Sequence, residues 1–256
     1  MARTIAIANQ KGGVGKTTTA VNLAASLAAA EKSTLLVDMD PQANACSGIG
    51  INKTDEISTI YEVLLGYKSA AEVIYDSDLK YLKSLPSNTN LIGAEIELIN
   101  VEQREKQLRQ ALKQIEEQFD YIIIDCPPSL GLLTLNALTA ADSVLVPLQC
   151  EYYAMEGLGH LMQTVRLVQH ELNPALKIGG ILLTMYDGRN NLSRQVSAEI
   201  RKHFGDKVYR AVIPRNVRLS EAPSYGQPVL MYDIASRGAQ AYLDMAQEVL
   251  AEVANG

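Results

Sequence analysis

Short runs of apolar, largely β-branched residues punctuate the chain at 4–9 (TIAIAN), 34–38 (TLLVD), 121–125 (YIIID), 143–148 (SVLVPL) and 178–184 (IGGILLT). These runs are apolar on both faces, so each predicts a strand covered on both sides, as in a parallel sheet between two helical layers. Between them, 17–30, 104–117, 130–140, 154–171 and 192–204 carry apolar residues at helical spacing. Strand and helix in alternation predict a doubly wound α/β fold, a mostly parallel sheet with helices on both faces. Residues 51–100 are less regular, with a helical piece at 60–66, a strand near Tyr81–Leu85 and turn residues at 86–90. No repeat, low-complexity tract or linker divides the sequence, which predicts a single domain over 1–256. The last stretch, AQAYLDMAQEVLAEVANG, is acidic and reads as a covering helix.

Composition changes this picture little. No apolar run reaches the roughly 18–20 residues that span a bilayer, and the N-terminus enters a strand directly, so a cytoplasmic protein without membrane attachment is expected. Cys46, Cys126 and Cys150 are odd in number and lack CxxC spacing, which disfavours a disulfide framework and a zinc site and leaves them as reduced core residues. Charge is more informative in its distribution than in its sum. The net charge is −6, yet between Tyr186 and Arg218 eight Lys or Arg face three Asp or Glu. One basic segment sits within an acidic protein.

The first strand runs into QKGGVGKTTTA and then into an Ala- and Leu-rich helical stretch, which is the strand–loop–helix context of a phosphate-binding loop. Gly12, Gly13 and Gly15, with Val14 between, allow the backbone N–H groups to close on phosphate oxygens at a helix N-terminus. Lys16 is placed for the β- and γ-phosphates. The Thr17 hydroxyl is placed for Mg²⁺ and that of Thr18 for the α-phosphate. Lys11 is an additional cation, and spacing alone leaves it equally free to point to solvent.

Two further strands end in acid. LLVDMDPQ puts Asp38 and Asp40 two apart on one face of the chain where the second strand gives out. Read alone, both serve as well for capping the next segment. FDYIIIDCPPS has the form of a Walker B strand, with Asp125 at its carboxyl end able to hold Mg²⁺ directly or through water. Pro127 and Pro128 stop that strand, and Ser129 is suited to cap the next helix.

The octet Lys11–Thr18 (KGGVGKTT), with Gln10 where the standard pattern has glycine, the DMDPQ of 38–42 and the IPRN of 213–216 resemble the deviant Walker A ATPases. Within that group the chain is similar to the ParA/Soj chromosome-partitioning family over nearly its whole length. The resemblance implies ATP and Mg²⁺ as cofactors and an ATP-dependent homodimer in which Lys11 reaches the partner's nucleotide. It implies that Asp40 positions the attacking water, with Lys11 and Lys16 as the other catalytic residues, and that Asp38 supports the Mg²⁺ shell. Pro214 and Asn216 become nucleotide contacts, with Met185 beside the base. Ala43 stands where many relatives have glycine, a departure without expected consequence.

The same resemblance makes Arg189 and Arg218 contacts to non-specific duplex DNA, with Arg194, Arg201, Lys202 and Lys207 as weaker candidates and a ParB-type centromere-binding protein as the partner that stimulates hydrolysis. Basic residues on a helix such as SRQVSAEIRKHFG serve equally as a solvated face. No aromatic residues interleave with them, so contact would be to phosphates rather than bases. The alternatives are a ParA-like ATPase that positions another cargo, and a MinD-like membrane-positioning ATPase, which would require a basic amphipathic C-terminal helix.

Overall fold

The computed structural model describes residues 1–51, 57–151 and 154–254. In chain order the strands are β1 (Arg3–Ile7), β2 (Thr34–Asp38), β3 (Tyr75–Asp76), β4 (Leu82–Leu85), β5 (Tyr121–Asp125), β6 (Ser143–Gln149), β7 (Lys177–Tyr186) and β8 (Val208–Pro214). They form one sheet in the order β3-β4-β2-β5-β1-β6-β7-β8. Every pairing is parallel except that of β3 with β4. The α-helices are α1 (Lys16–Ala29), α2 (Asn44–Ser47), α3 (Ile60–Leu64), α4 (Leu91–Glu97), α5 (Gln107–Lys113), α6 (Leu132–Ala140), α7 (Ala154–Glu171), α8 (Asn191–Phe204), α9 (Val217–Glu221), α10 (Val229–Tyr232) and α11 (Arg237–Ala254).

The continuous apolar strands are explained by two cores, one on each face of the sheet. Along β1, Ile5 and Ile7 pack with Leu23, Leu27, Tyr242 and Met245 of α1 and α11, while Ala6 packs with Leu108, Leu133 and Leu158 of α5, α6 and α7. Because successive side chains point to opposite faces, a polar residue at any of these positions would be buried. The doubly wound, mostly parallel sheet is therefore as expected, and α11 is a covering helix; Asn255 and Gly256 of its predicted stretch lie outside the described residues. No described helix is long and apolar enough to cross a membrane.

Differences are local. The run VYRAVIP, apolar but not singled out as a strand, is β8 at the sheet edge. The helix expected over 104–117 contracts to Gln107–Lys113 with 3₁₀ turns on either side. Gln103 enters it at φ 52°, in the left-handed region, and the turn at Glu116–Gln118 lets both Ile115 and Phe119 reach the core. Ser129 does not cap α6: the N-cap is Gly131, two residues later, and the Ser129 carbonyl instead accepts the Thr134 hydroxyl at 2.6 Å.

Candidate nucleotide-binding site

The carboxyl ends of β1, β2 and β5 meet at the loop between β1 and α1. Asn9 ties the loop's entrance down: its Nδ2 donates to the Pro147 carbonyl at 2.7 Å and its Oδ1 accepts the Lys11 N–H at 3.0 Å. Gly13 and Gly15 have φ of 73° and 88°, a conformation in which a Cβ would be strained. A Cβ on Gly12 or Gly13 would meet nothing within 4 Å, so this stretch lines open space. At its far end the Val14 carbonyl accepts the Thr184 hydroxyl at 2.8 Å. Helix α1 then begins at Lys16 with no side chain capping it. The N–H groups of its first turn are left to a ligand, and the helix dipole favours an anion there.

Lys16 is nearly buried, its Nζ donating to the Lys11 carbonyl at 3.2 Å. Burial lowers its pKa, while Asp125 and Asp40 nearby oppose the shift. Below it, Asp38 and Asp125 are register partners on adjacent parallel strands, both fully buried. Their hydrogen bonding differs sharply. Asp38 Oδ1 accepts the Asp40 N–H at 3.0 Å, and its Oδ2 accepts both the Cys46 N–H and the Cys46 thiol at 3.1 Å. Neither oxygen of Asp125 receives a hydrogen bond of sound geometry among the described residues, although the Thr17 hydroxyl lies close enough to favour its charged form.

Two carboxylates buried side by side disfavour ionisation. Burial pushes Asp38 up to about 6, with its three donors opposing and the charge of Asp40 adding to the shift. Asp125 is raised well above the usual carboxylate range by burial and by Asp38, with the Thr17 hydroxyl opposing. An unpaired buried carboxyl costs stability, and a bare pair of oxygens beside a threonine hydroxyl and an open helix N-terminus fits a hard divalent cation. Thr17 and Asp125 are thus the side chains with lone pairs to offer, and Asp38 stands behind them with both oxygens engaged.

This arrangement sets a pH dependence. Because the folded pKa values of Asp38 and Asp125 lie above their ordinary 3.8, the folded state takes up protons first, so stability rises as pH falls through the folded values. For Asp38 alone the nucleotide-free protein is expected to gain about 1 kcal/mol between pH 7.5 and 5.5, seen as a rise of about 2–4 °C in melting temperature. Thermal melts of wild type and Asp38→Asn check this, and an equal rise in both would count against it.

Asp40 is nine per cent exposed; its Oδ1 accepts the Gln42 N–H at 2.9 Å and its carbonyl the Ala43 N–H at 2.9 Å. Ala43 has φ 53°, so this alanine holds the left-handed conformation that glycine adopts without strain. Beside the loop a cavity of about 370 Å³ is lined by Gly15, Thr18, Met185, Pro214, Arg215 and Asn216 among others. Met185 also has a positive φ, 50°, and such strain clusters at ligand sites. Asn216 caps α9, its Oδ1 accepting the Arg218 N–H at 2.8 Å. The residues expected at the base therefore do line one cavity that reaches Thr18 of the loop.

Lys11 does not point freely to solvent. Its Nζ meets Glu151 Oε2 at 2.8 Å, and Arg215 approaches the other oxygen of Glu151 at 3.9 Å. Sequence reasoning missed Glu151, although the signal was that used for Asp38 and Asp125: an apolar strand, here β6, ending beside an acid.

The basic segment is less open than its composition suggests. Arg189 is exposed but grips Asp187 through two nitrogens at 3.0 and 2.9 Å, which pulls the Asp187 carboxyl down to about 2. Arg218 pairs with Glu221 at 2.8 Å and Asp233 at 3.2 Å. Arg194 donates to Asn191, and Arg201 to the Tyr209 carbonyl at 3.1 Å. Lys202, Lys207 and Arg210 are exposed and form no ion pair among the described residues.

Comparison with known proteins accords with this geometry. Residues 2–178 match a family model described as an AAA domain. The chain is 58% identical to the chromosome partitioning protein ParA of Myxococcus xanthus, over 97% of this chain and 88% of that protein. It is 57% identical to the sporulation initiation inhibitor protein Soj of Bacillus subtilis, over 98% and 99%. Among solved structures, cobyrinic acid a,c-diamide synthase from Mycobacterium smegmatis with bound ADP and magnesium superposes with a TM-score of 0.86 at 40% identity, covering 98% of this chain and 94% of that one. Bare α1 amides framed by Lys16, with Asp125 beneath them, thus sit in a chain that belongs to the ParA/Soj family of chromosome-partitioning ATPases.

Proposed function

We propose that the protein is a Mg²⁺-dependent ATPase whose nucleotide state switches a homodimer on and off DNA. The observation that carries the ATPase is the uncapped start of α1, with Lys16 above it and the two unpartnered oxygens of Asp125 below. Loop amides from Gly12 to Thr18, with Lys16, hold the β- and γ-phosphates, and the cavity walled by Met185, Pro214 and Asn216 takes the base and sugar. Thr17 and Asp125 hold Mg²⁺, with Asp38 behind them; the cation would neutralise charge developing on the phosphates. Asp40 orients the attacking water. Lys11 leaves Glu151 to stabilise the partner's leaving phosphoryl group, as an arginine finger does.

Dimerisation doubles the basic surface, which converts weak phosphate contacts into useful affinity for duplex DNA. Arg189 and Arg218 contact phosphate after exchanging Asp187, Glu221 and Asp233 for it, a cheap exchange because exposed ion pairs are worth little. A ParB-type partner accelerates hydrolysis and so releases the DNA. The 50–58% identical ParA and Soj relatives favour DNA as the cargo. A membrane-bound alternative is disfavoured by α11, whose Tyr242, Met245, Ala246 and Val249 are already buried in the core.

Sedimentation with non-specific duplex DNA tests the cargo. Binding is expected with ATP and not ADP, weakening as salt rises, and at least about ten-fold weaker in Arg189→Glu/Arg218→Glu. No binding in either nucleotide state would move the cargo away from DNA and leave the ATPase standing.

A further inference from the structure

Cys46 lies in α2, the short helix that follows the Asp38–Gln42 segment, and is one per cent exposed. A small buried cysteine ordinarily fills space, and sequence alone gives it no other task. Its surroundings do. The thiol and the main-chain N–H of Cys46 both point at Asp38 Oδ2, at 3.1 Å each, while Asp38 Oδ1 receives the Asp40 N–H at 3.0 Å. One carboxylate therefore joins α2 to the main chain of Asp40, eight residues being folded back on themselves around it.

We propose that Cys46 is a positioning residue of the nucleotide site: it fixes the Asp38 carboxylate, which in turn fixes the backbone that carries Asp40. The proposal rests on the reading of Asp40 as the group that orients water. The donor is the S–H of the thiol, which a cysteine of ordinary pKa, about 8.5, retains at neutral pH. The chemistry follows from the geometry of a clamped ligand. A carboxylate held on both oxygens cannot swing toward the unpartnered Asp125 next to it in register, and the Asp40 N–H then has a fixed acceptor. Without the thiol, Oδ2 keeps only the Cys46 N–H, so two donors hold the carboxylate instead of three and the Asp38–Asp40 link is held less tightly. A misplacement of this kind degrades the reaction geometry more than the affinity for nucleotide.

Cys46→Ser retains a side-chain donor, whereas Cys46→Ala and Cys46→Val lack one; valine also keeps the bulk of the site. Three readouts separate positioning from packing: kcat, KM for ATP, and equilibrium binding of a fluorescent ATP analogue with Mg²⁺. Cys46→Ala and Cys46→Val are expected to lose about ten-fold in kcat with analogue binding within about two-fold of wild type. Cys46→Ser is expected to recover kcat to within about two-fold, whatever the melting temperatures of the three variants. Wild-type kcat in both donor-free variants, or a loss in Cys46→Ser as large as in Cys46→Val, would overturn the assignment. Asp40→Ala measured alongside separates the two ideas. If that variant hydrolyses normally, the reading of Asp40 fails and the positioning role falls with it; if it is slow while Cys46→Ala and Cys46→Val are normal, only the role of Cys46 is lost.

Discussion

Asp40→Ala is expected to bind ATP as tightly as wild type and to hydrolyse it at least about 10²-fold more slowly, the usual loss when a group that orients or deprotonates the nucleophile is removed. Binding survives because the phosphate cradle is built from other parts: the uncapped amides of α1, Lys16 and the loop glycines. Turnover does not, because neither neighbouring aspartate is placed to serve. Asp38 has donors on both oxygens, and Asp125 is buried at the proposed cation position with its pKa pushed upward. Asp40 alone sits at the edge of the site, nine per cent exposed, on a loop closed by the Gln42 and Ala43 amides. Fluorescent-analogue titration and phosphate release, measured on the same preparation, check both halves. Wild-type turnover in this variant would refute the assignment of Asp40.

What was legible in the sequence is what depends on neighbours along the chain. Unbroken apolar runs identify strands buried on both faces, since any polar residue there would lose its water; the loop glycines and Lys16 follow one of these runs and so fall at a helix start. That Met185, Pro214 and Asn216 would gather in one place came from the family resemblance rather than from spacing, because β7 and β8 bring them to one cavity from two separate turns. Glu151 and Cys46 were not legible. Lys11 and Glu151 are 140 residues apart, and only the pairing of β1 with β6 makes them neighbours. Cys46 looks like core until a short helix turns its thiol onto Asp38. The basic segment misled in the opposite way: a sum over Tyr186–Arg218 counts Asp187 without showing that it is gripped by Arg189, and omits Glu221 and Asp233, which lie beyond the segment and pair with Arg218.

The pair formed by Lys11 and Glu151 gives the second large effect. Both side chains are roughly two-fifths exposed, and an ion pair so wetted is worth about 0–1 kcal/mol. It can hold a lysine in place without trapping it. In the proposed dimer, the phosphates of a nucleotide on the second subunit would bring several negative charges into a site closed to water, where each interaction is stronger. Lys11 should therefore exchange Glu151 for the partner's ATP on dimerisation. Lys11→Ala is then expected to bind ATP in the monomer yet fail to form the ATP-dependent dimer, and to lose about 10³-fold in turnover, the low end of what a cation supplied in trans contributes. Glu151→Gln should act in the opposite sense, forming the dimer at a lower ATP concentration because the resting partner of Lys11 has lost its charge. Light scattering across an ATP titration reads both variants. A Lys11→Ala protein that dimerises like wild type would show that the lysine belongs to its own subunit, and Glu151 would then be its working partner rather than the group it leaves.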